Sequence, residues 1–182
     1  MTPPREVMPR DDYYMGMAFL APARSKDPNT RIGAYIVSRH NRPLGSGYNG
    51  PPSQINDHDV NWERPHKYPY IKHAEDNAID HSPRSKLRGA TLYVTAMPCM
   101  ACMLDIVAAR IARVVYFQPK NLDPASMLAR KNEIEETIRI AIKGKVSLEP
   151  FIGSLRWLYD HLAWMKGLGA FDEQTAPTGI DT

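Results

Sequence analysis

Two short segments of the chain carry side chains of the kind that bind zinc. The first reads "HAEDNAID" from His73, and the second reads "MPCMACMLDIV", with Cys99 and Cys102 three residues apart. Imidazole and thiolate groups are preferred zinc ligands, and a catalytic site uses three of them and leaves one position for water. If one ion takes all three side chains, the fold must bring these two distant segments together. The sequence therefore predicts a metal site formed by His73, Cys99 and Cys102.

Glu75 lies two residues after His73 and is predicted to be an acid–base group beside the metal. On an ideal helix, side chains two positions apart point about 200° away from each other. The preceding run "KYPYIK" contains a proline and aromatic residues that disfavour a helix. A helix that begins near His73 would let both side chains converge. Glu75 could then accept a proton from metal-bound water and pass it on.

The cysteine pair is predicted to stand at the start of a helix. Pro98 has no N–H to lose and a preset φ, so it is suited to open that helix, where free N–H groups favour thiolates. A C-x-x-C pair alone is also typical of a redox dithiol or of a structural zinc half-site. A redox role would leave the H-x-E segment unexplained, and a closed structural site would need a fourth ligand. The combination H-x-E…P-C-x-x-C is the signature of zinc-dependent nucleobase deaminases.

Length and composition are typical of one globular domain. The chain has 182 residues, of which 43% are hydrophobic and 24% charged, and we expect a single domain over 1–168 with a disordered tail over 169–182. There is no apolar run of about 18 residues and no secretory signal at the start, so we expect a cytoplasmic protein without a membrane span. The net charge of +3 suits a phosphate-bearing substrate but makes nucleic acid an unlikely partner.

Helix and strand patterns alternate in the second half of the chain. The segments "HAEDNAID", "ATLYVTA", "CMACMLDIVAAR" and "RVVYF" predict an α/β unit whose later strands are parallel. Before it, we predict a helix interrupted by Pro22 and a hairpin over Gly33 to Asn49. After it, we predict a helix between Asp123 and Gly144, a strand in "KVSLEPF" and a final helix. The final helix has an apolar face that we expect to pack in the core or against another subunit: Leu155, Leu158, Leu162 and Met165.

Four segments together resemble the deoxycytidylate (dCMP) deaminase family, within the zinc-dependent cytidine deaminase superfamily. They are "RSKDPNTRIGAYIV", "GYNGPP", "KYPYIKHAEDNAI" and "MPCMAC", and the resemblance covers about Tyr14 to Phe117. It implies a cytidine-deaminase-like α/β fold, a three-layer α/β/α arrangement with a five-stranded mixed sheet. It also implies hydrolysis of dCMP to dUMP with release of ammonia, in which zinc-bound hydroxide attacks C4 of cytosine and Glu75 shuttles the proton. One catalytic zinc ion, a homo-oligomer (commonly a hexamer) and the effectors dCTP and dTTP follow from the same resemblance.

The resemblance also suggests which residues hold the sugar and the phosphate. Asn49 and Asn29 would donate or accept hydrogen bonds with the deoxyribose or phosphate. Arg24, Ser25 and Lys26 offer charge and hydroxyl donors suited to a 5′-phosphate. Both sets have a plainer interpretation, because "SKDPN" is a good turn sequence and Asn49 could adopt a left-handed turn conformation.

Beyond "VVYF" the sequence departs from that family. Its members commonly continue with an aspartate and a tyrosine that form part of the base pocket, whereas this chain has "QPKNLDP", with Asn121 near the expected tyrosine. A changed pocket could favour another cytosine nucleotide, such as dCTP or a 5-substituted dCMP. A base in nucleic acid and a non-catalytic nucleotide-binding zinc protein are further alternatives, although no basic stripe with interleaved aromatics is evident and Glu75 argues for catalysis.

The stretch from 50 to 70 is a long loop without periodicity, which suggests function. It holds His58 between two aspartates. A second metal or an effector could bind there, but no cysteine remains to serve a second zinc ion, and a solvated acidic loop is the favoured interpretation.

Overall fold

The computed structural model describes residues 3–117 and 124–167, which are arranged around a five-stranded sheet. The strands are β1 (Gly33–Val37), β2 (Pro43–Tyr48), β3 (Thr91–Val94), β4 (Arg113–Tyr116) and β5 (Ser147–Pro150). Their order in the sheet is β2-β1-β3-β4-β5. The pairs β1–β2 and β1–β3 are antiparallel, and β3–β4 and β4–β5 are parallel. The predicted mixed sheet is therefore confirmed, including its parallel later strands.

Helices cover both faces of this sheet. They are α1 (Arg10–Leu20), α2 (Ala74–Asp80), α3 (Met100–Ala108), α4 (Pro124–Ala129), α5 (Lys131–Gly144) and α6 (Arg156–Lys166). Successive strand residues point to opposite faces, so Ile36 packs in the core that includes α2, α3 and α5, whereas Val37 packs in the core that includes α1. The three-layer α/β/α arrangement predicted from the resemblance is confirmed.

The predicted helix and hairpin near the N-terminus are also confirmed. Helix α1 ends at Leu20 and continues into a 3₁₀ turn over Ala21–Arg24, in which Pro22 is the second residue. In the hairpin turn, Asn41 adopts a positive φ of 57°, a conformation that asparagine tolerates better than most residues. The hairpin ends at Tyr48, directly before Asn49.

The prediction of one helix between Asp123 and Gly144 is wrong, because α4 and α5 are separate. The break falls at Arg130, which has φ −96° and ψ 3°; Asp123 lies outside the described residues. Helix α5 ends at Gly144 as predicted, but the left-handed residue that follows is Lys145, with φ 56°. Gly144 has a packing role, since a Cβ there would lie 2.3 Å from Cγ2 of Val107 on α3.

The final helix is confirmed, but its expected place in the core is not. None of the residues of α6 is buried. Of the four predicted apolar residues, only Leu155, just before the helix, packs against the core that includes α1, and it is partly buried there. That α6 contacts another subunit stays a prediction. The single domain over residues 1–168 also stays a prediction. The segments containing Asn121 and the tail 169–182 lie outside the described residues. Within 3–117 and 124–167, no helix has both the length and the apolar character needed to cross a bilayer.

Candidate metal centre and active-site cleft

The starts of α2 and α3 place the predicted metal ligands side by side. His73 is the N-cap of α2, with φ −75° and ψ 160°, and Cys99 is the N-cap of α3, with φ −79° and ψ 172°. Both backbones are extended, and Cys102 follows in the first turn of α3. The expectation that a helix begins near His73 is confirmed. Pro98 was expected to open α3, but it lies just before the N-cap, two positions before the first helical residue, Met100.

The three ligand atoms form a compact triangle. His73 Nδ1 lies 3.2 Å from Cys102 Sγ and 3.5 Å from Cys99 Sγ, and the two sulfur atoms are 3.5 Å apart. In a tetrahedral site with Zn–S of about 2.3 Å and Zn–N of about 2.0 Å, such ligand atoms are separated by about 3.5–3.8 Å. The residues present therefore fit zinc in ligand type, and their separations come within about 0.3 Å of those of a tetrahedral site. In the part of the chain that the structure describes, they are the one group of histidine, cysteine and acidic side chains compact enough for a single metal ion.

Hydrogen bonding within this triangle favours a thiolate at Cys99. Its contacts with Cys102 and with His73 lower the pKa of the Cys99 thiol to about 3. The contact with Cys99 raises the pKa of His73 to about 9, and the same contact together with burial raises the pKa of Cys102. Without metal, the site holds a thiolate beside an imidazolium. Metal binding must then release protons from His73 and Cys102.

Glu75 is the second residue of α2 and is buried, with 4% of its surface exposed. Burial raises the pKa of its carboxyl to about 7. A carboxyl that titrates near neutral pH can accept a proton and return it within one reaction. Glu75 lines the same cleft as His73 and Cys99, so the structure brings together the four residues that the motifs predict.

A cleft of about 770 Å³ opens beside the metal ligands. This volume is within the range of about 300–1,000 Å³ that is usual for small-molecule sites. Seven further polar residues line it: Asp27, Thr30, Asn49, Arg64, Lys67, Arg130 and Glu133. Sequence reasoning identified Asn49 and missed the other six, which come from loops and from the α4–α5 junction, where no motif marks them.

A buried ion pair, Asp27 with Lys67, organises one wall of the cleft. The Nζ atom of Lys67 lies 2.5 and 2.6 Å from the two carboxylate oxygens, and both side chains are almost completely buried. Asp27 also accepts hydrogen bonds from the backbone N–H groups of Asn29 and Thr30. One carboxylate therefore fixes the turn after it and holds a lysine forty positions away in the sequence.

Asn49 lines the cleft, but its amide is engaged within the protein. The side-chain oxygen accepts from the N–H of Ile32 at 2.7 Å, and Nδ2 donates to the carbonyl of Thr30 at 2.8 Å and to Asp27 at 3.2 Å. Asn49 is also not among the residues described with a positive φ. It joins the end of β2 to the loop before β1. Its contact with substrate stays a prediction.

The other predicted substrate contacts lie elsewhere. Arg24, Ser25 and Lys26 line a second cleft, of about 690 Å³. Ser25 donates its hydroxyl to the carbonyl of Asn49 at 2.7 Å, and Lys26 pairs with Asp57. Asn29 is exposed and donates to the carbonyl of Trp62 at 3.3 Å. The structure does not bring these four side chains into the lining of the cleft beside His73, and their substrate contacts stay predictions.

The loop from 50 to 70 is fastened at both ends. Gly50 and Lys72 exchange backbone hydrogen bonds of 3.0 and 3.1 Å, and Lys67 is held by Asp27. In its middle, the Asn56 side chain accepts from the N–H of His58 at 3.0 Å. The structure thus joins the loop to the cleft mainly through its last residues.

The family model of the cytidine and deoxycytidylate deaminase zinc-binding region matches residues 8–118. This match covers more than half of the chain and includes His73, Glu75, Cys99 and Cys102. The chain belongs to this family. Together with the three converging side chains, membership of a zinc-binding family confirms the zinc cofactor predicted from the sequence.

Curated relatives and a solved structure agree with this assignment. The deoxycytidylate deaminases of Pongo abelii and Homo sapiens are each 40% identical to this deaminase-family chain over 118 residues, which is 62% of this chain and 66% of theirs. The match thus spans just under two thirds of the length of these relatives. The dCMP deaminase of the cyanophage S-TIM5, solved in complex with dCMP and dUMP, is 24% identical with a TM-score of 0.61, covering 80% of this chain and 100% of that chain. This likeness confirms the cytidine-deaminase-like fold.

Proposed function

We propose that the protein deaminates a free pyrimidine deoxynucleotide, converting dCMP to dUMP with release of ammonia. The observation that carries the proposal is the buried carboxyl of Glu75, placed beside a three-ligand zinc site in a nucleotide-sized cleft. The names of the curated relatives support dCMP as the substrate.

In this proposal, His73, Cys99 and Cys102 would hold the metal ion, the three-ligand set that is usual for a catalytic zinc site. A zinc ion bound there supplies an activated water at neutral pH. Glu75 would take one proton from the attacking water and deliver it to N3 of cytosine. It would then take the remaining proton from the new C4 hydroxyl and pass it to the amino group, so that the C4–N bond breaks, ammonia leaves and the C4 carbonyl of dUMP forms. The raised pKa of Glu75, about 7 because of burial, suits a group that must both accept and donate near neutral pH. His73 is the N-cap of α2 and Glu75 is its second residue, so the start of the helix fixes the distance between the metal ligand and the carboxyl.

A substrate panel tests this proposal. Zinc-loaded protein is incubated with dCMP, dCTP, 5-methyl-dCMP, cytidine and single-stranded DNA, and loss of the amino group is followed by ammonia release and by absorbance. We expect dCMP to be the preferred substrate. Preference for dCTP or for 5-methyl-dCMP would move the assignment to that nucleotide, and turnover of none of the five would refute an enzymatic role.

The proposed roles of two residues are separable by substitution. Glu75→Gln should keep stoichiometric zinc but lower kcat by about 10²- to 10⁴-fold, the usual contribution of a general acid–base, whereas His73→Ala should lose both zinc and activity. Zinc content is measured by mass spectrometry and activity with the best substrate of the panel. Glu135→Gln, a partly exposed carboxyl on α5 that faces Lys131 and Arg139 and does not line the cleft, is the matched control and should behave like the wild type. Full activity in Glu75→Gln would exclude the proton-carrier role.

We further propose that the protein is a cytoplasmic homo-oligomer, a hexamer by family resemblance, with dCTP and dTTP as effectors. Two observations support parts of this proposal. Met100 and Leu104 on α3 and Ile138 and Ile142 on α5 are exposed apolar side chains on two helices that pack against each other, and exposed apolar surface is a common feature of subunit contacts. Neither cysteine forms a disulfide, as is usual in a reducing compartment. Light scattering, with and without dCTP, would measure the oligomer size.

A further inference from the structure

Three basic side chains, Arg64, Lys67 and Arg130, line the cleft beside the metal ligands in the described part of the chain. A nucleotide bound with its base near Glu75 must place its phosphate against some cationic or hydrogen-bond-donating group. The surroundings of the three side chains differ enough to show which of them remains available.

Lys67 and Arg130 are already neutralised. Lys67 is 3% exposed and bonds both carboxylate oxygens of Asp27, so a phosphate could reach it only by displacing a buried partner. Arg130 donates to the carboxylate of Glu133 at 3.2 Å. Glu133 lines the same cleft and would repel a phosphate placed beside Arg130.

Arg64 has no carboxylate partner among the described residues. It is exposed at the cleft and donates from Nη2 to the hydroxyl of Thr30, a neutral group that leaves the charge uncompensated. A guanidinium carries five N–H donors in a planar fork that matches phosphate oxygens, and it stays charged at any physiological pH.

The loop geometry holds Arg64 at this position. Asp27 accepts from the N–H of Thr30 at 3.1 Å and pairs with Lys67, whose own N–H donates to the carbonyl of Glu63 at 3.1 Å. One buried carboxylate therefore fixes both Thr30 and the turn of chain that contains Arg64. The guanidinium of Arg64 and the hydroxyl of Thr30 are thus held next to each other as two hydrogen-bond donors. Both line the cleft that also contains the buried carboxyl of Glu75.

We infer that Arg64, assisted by the hydroxyl of Thr30, binds the 5′-phosphate and thereby selects nucleotides over nucleosides. This inference rests on the proposed function for the identity of the ligand. It replaces Arg24 and Lys26 as phosphate-binding residues, because those side chains line the second cleft and Lys26 is paired with Asp57.

Binding of the product pair dUMP and deoxyuridine to zinc-loaded protein, measured by calorimetry, tests the inference without turnover. Wild type should bind dUMP more tightly than deoxyuridine. Arg64→Gln should weaken dUMP binding by about 10- to 100-fold, the usual worth of a charged hydrogen-bonding group, and leave deoxyuridine binding unchanged. Arg64→Lys should recover part of the loss, since it keeps the charge without the fork. Thr30→Val should weaken dUMP binding less than Arg64→Gln does, and it decides the question if Arg64→Gln does not fold.

Two further arginine variants complete the design. Arg42→Gln, in the hairpin turn at the far end of β1 and β2 from Asn49, is the matched control and should bind like wild type. Arg24→Gln tests the competing assignment. Unchanged dUMP binding in Arg64→Gln, the loss appearing in Arg24→Gln instead, or a wild type that does not prefer dUMP would each overturn the inference.

The same variants separate this inference from the proposed function. If the wild type deaminates none of the panel substrates but binds dUMP through Arg64, the proposed function fails and the phosphate assignment stands. If the wild type deaminates dCMP and Arg64→Gln keeps the wild-type KM for it, the phosphate assignment fails and the function stands.

Discussion

Asp27 is the residue on which the polar contacts of the cleft wall converge. Burial opposes ionisation of its carboxyl, but hydrogen bonds from Lys67 and from the N–H groups of Asn29 and Thr30 outweigh that effect and hold its pKa below the ordinary value of 3.8. The folded protein therefore stabilises the carboxylate form. Both partners of the ion pair are nearly inaccessible to solvent, so loss of either one would leave an uncompensated buried charge.

We predict that Asp27→Asn lowers the free energy of unfolding by about 3–5 kcal/mol at pH 7, because Lys67 stays buried without a counter-charge. The carboxyl has a lower pKa in the folded than in the unfolded chain. Its stabilising contribution is then fully present above the unfolded pKa of about 3.9 and is lost as the pH falls through the folded-state value. Urea unfolding between pH 3 and 8 should show the difference between wild type and variant shrinking below about pH 4.

The control for this experiment is Asp59→Asn, an exposed acid in the 50–70 loop. It should change stability by less than about 0.5 kcal/mol at any pH. A difference between wild type and Asp27→Asn that stays constant down to pH 3 would contradict the assignment of the lowered pKa to this carboxyl.

The proposed metal ligands and the proposed acid–base group could be predicted from the sequence, whereas most residues of the cleft wall could not. His73, Glu75, Cys99 and Cys102 lie within two short motifs whose spacing restricts how they can meet. Lys67 could not be identified from the sequence, because a buried lysine cannot be distinguished from an exposed one before the position of its partner is known. That partner, Asp27, lies forty residues earlier in the chain. The sequence favoured Arg24 and Lys26 as phosphate contacts because it does not tell which loop faces which cleft; the structure places these two side chains in the second cleft and Arg64 in the cleft beside His73.

At the scale of elements, the contact between α3 and α5 depends on one missing side chain. A Cβ at Gly144 would lie 2.3 Å from Val107 Cγ2 and 3.0 Å from its Cγ1. The two helices can come this close only because Gly144 has no side chain. The glycine expected to stop α5 thus also determines how near the helix lies to α3, which carries Cys99 at its start.

We predict that Gly144→Ala lowers the free energy of unfolding by about 1 kcal/mol or more, because overpacking outweighs the gain in helix propensity. Gly16→Ala in α1 is the control, since its Cβ would meet Leu158 at an ordinary 3.5 Å, and it should gain up to about 1 kcal/mol. Urea unfolding measures both. A double-mutant cycle with Val107→Ala should give a favourable coupling energy, and additivity of the two changes would show that the clash is relieved elsewhere.

The alternation of helices and strands, with parallel later strands, was predictable because period-2 and period-3.6 patterns alternate cleanly from "HAEDNAID" to "RVVYF". The break between α4 and α5 was not predictable, because "LARKNEI" contains neither proline nor glycine to mark it. The apolar face of α6 was expected to pack in the core or against another subunit, and the structure leaves all residues of the helix outside the core. Periodicity reports that a helix has an apolar side and says nothing about how much of the protein covers it.

Across the whole molecule, the two cores and the metal site are distinct sources of stability. The larger core joins α2, α3 and α5 to one face of the sheet, and the smaller one lies between the sheet and α1. The metal ligands join only the starts of α2 and α3. The fold is therefore expected to form without zinc and to gain stability when zinc binds.

We predict that chelation leaves the far-ultraviolet circular dichroism nearly unchanged and lowers the Tm, and that the Tm rises with added zinc as expected for a ligand that binds only the folded state. His73→Ala should show no such dependence on zinc. Differential scanning calorimetry across a zinc series measures both. Complete loss of helical signal on chelation, as in zinc fingers, would contradict the view that the cores suffice.

The contacts that anchor the two ends of the 50–70 loop determine which changes in loop length the protein can tolerate. The backbone exchange between Gly50 and Lys72 and the anchoring of Lys67 by Asp27 hold the two ends of the loop close to the metal ligands. Lengthening a surface loop costs little conformational entropy when its ends are already fixed. Insertions or a grafted peptide near Ser53 or Gln54 should therefore be tolerated, so that relatives can differ in length here while Arg64 and Lys67 keep their places.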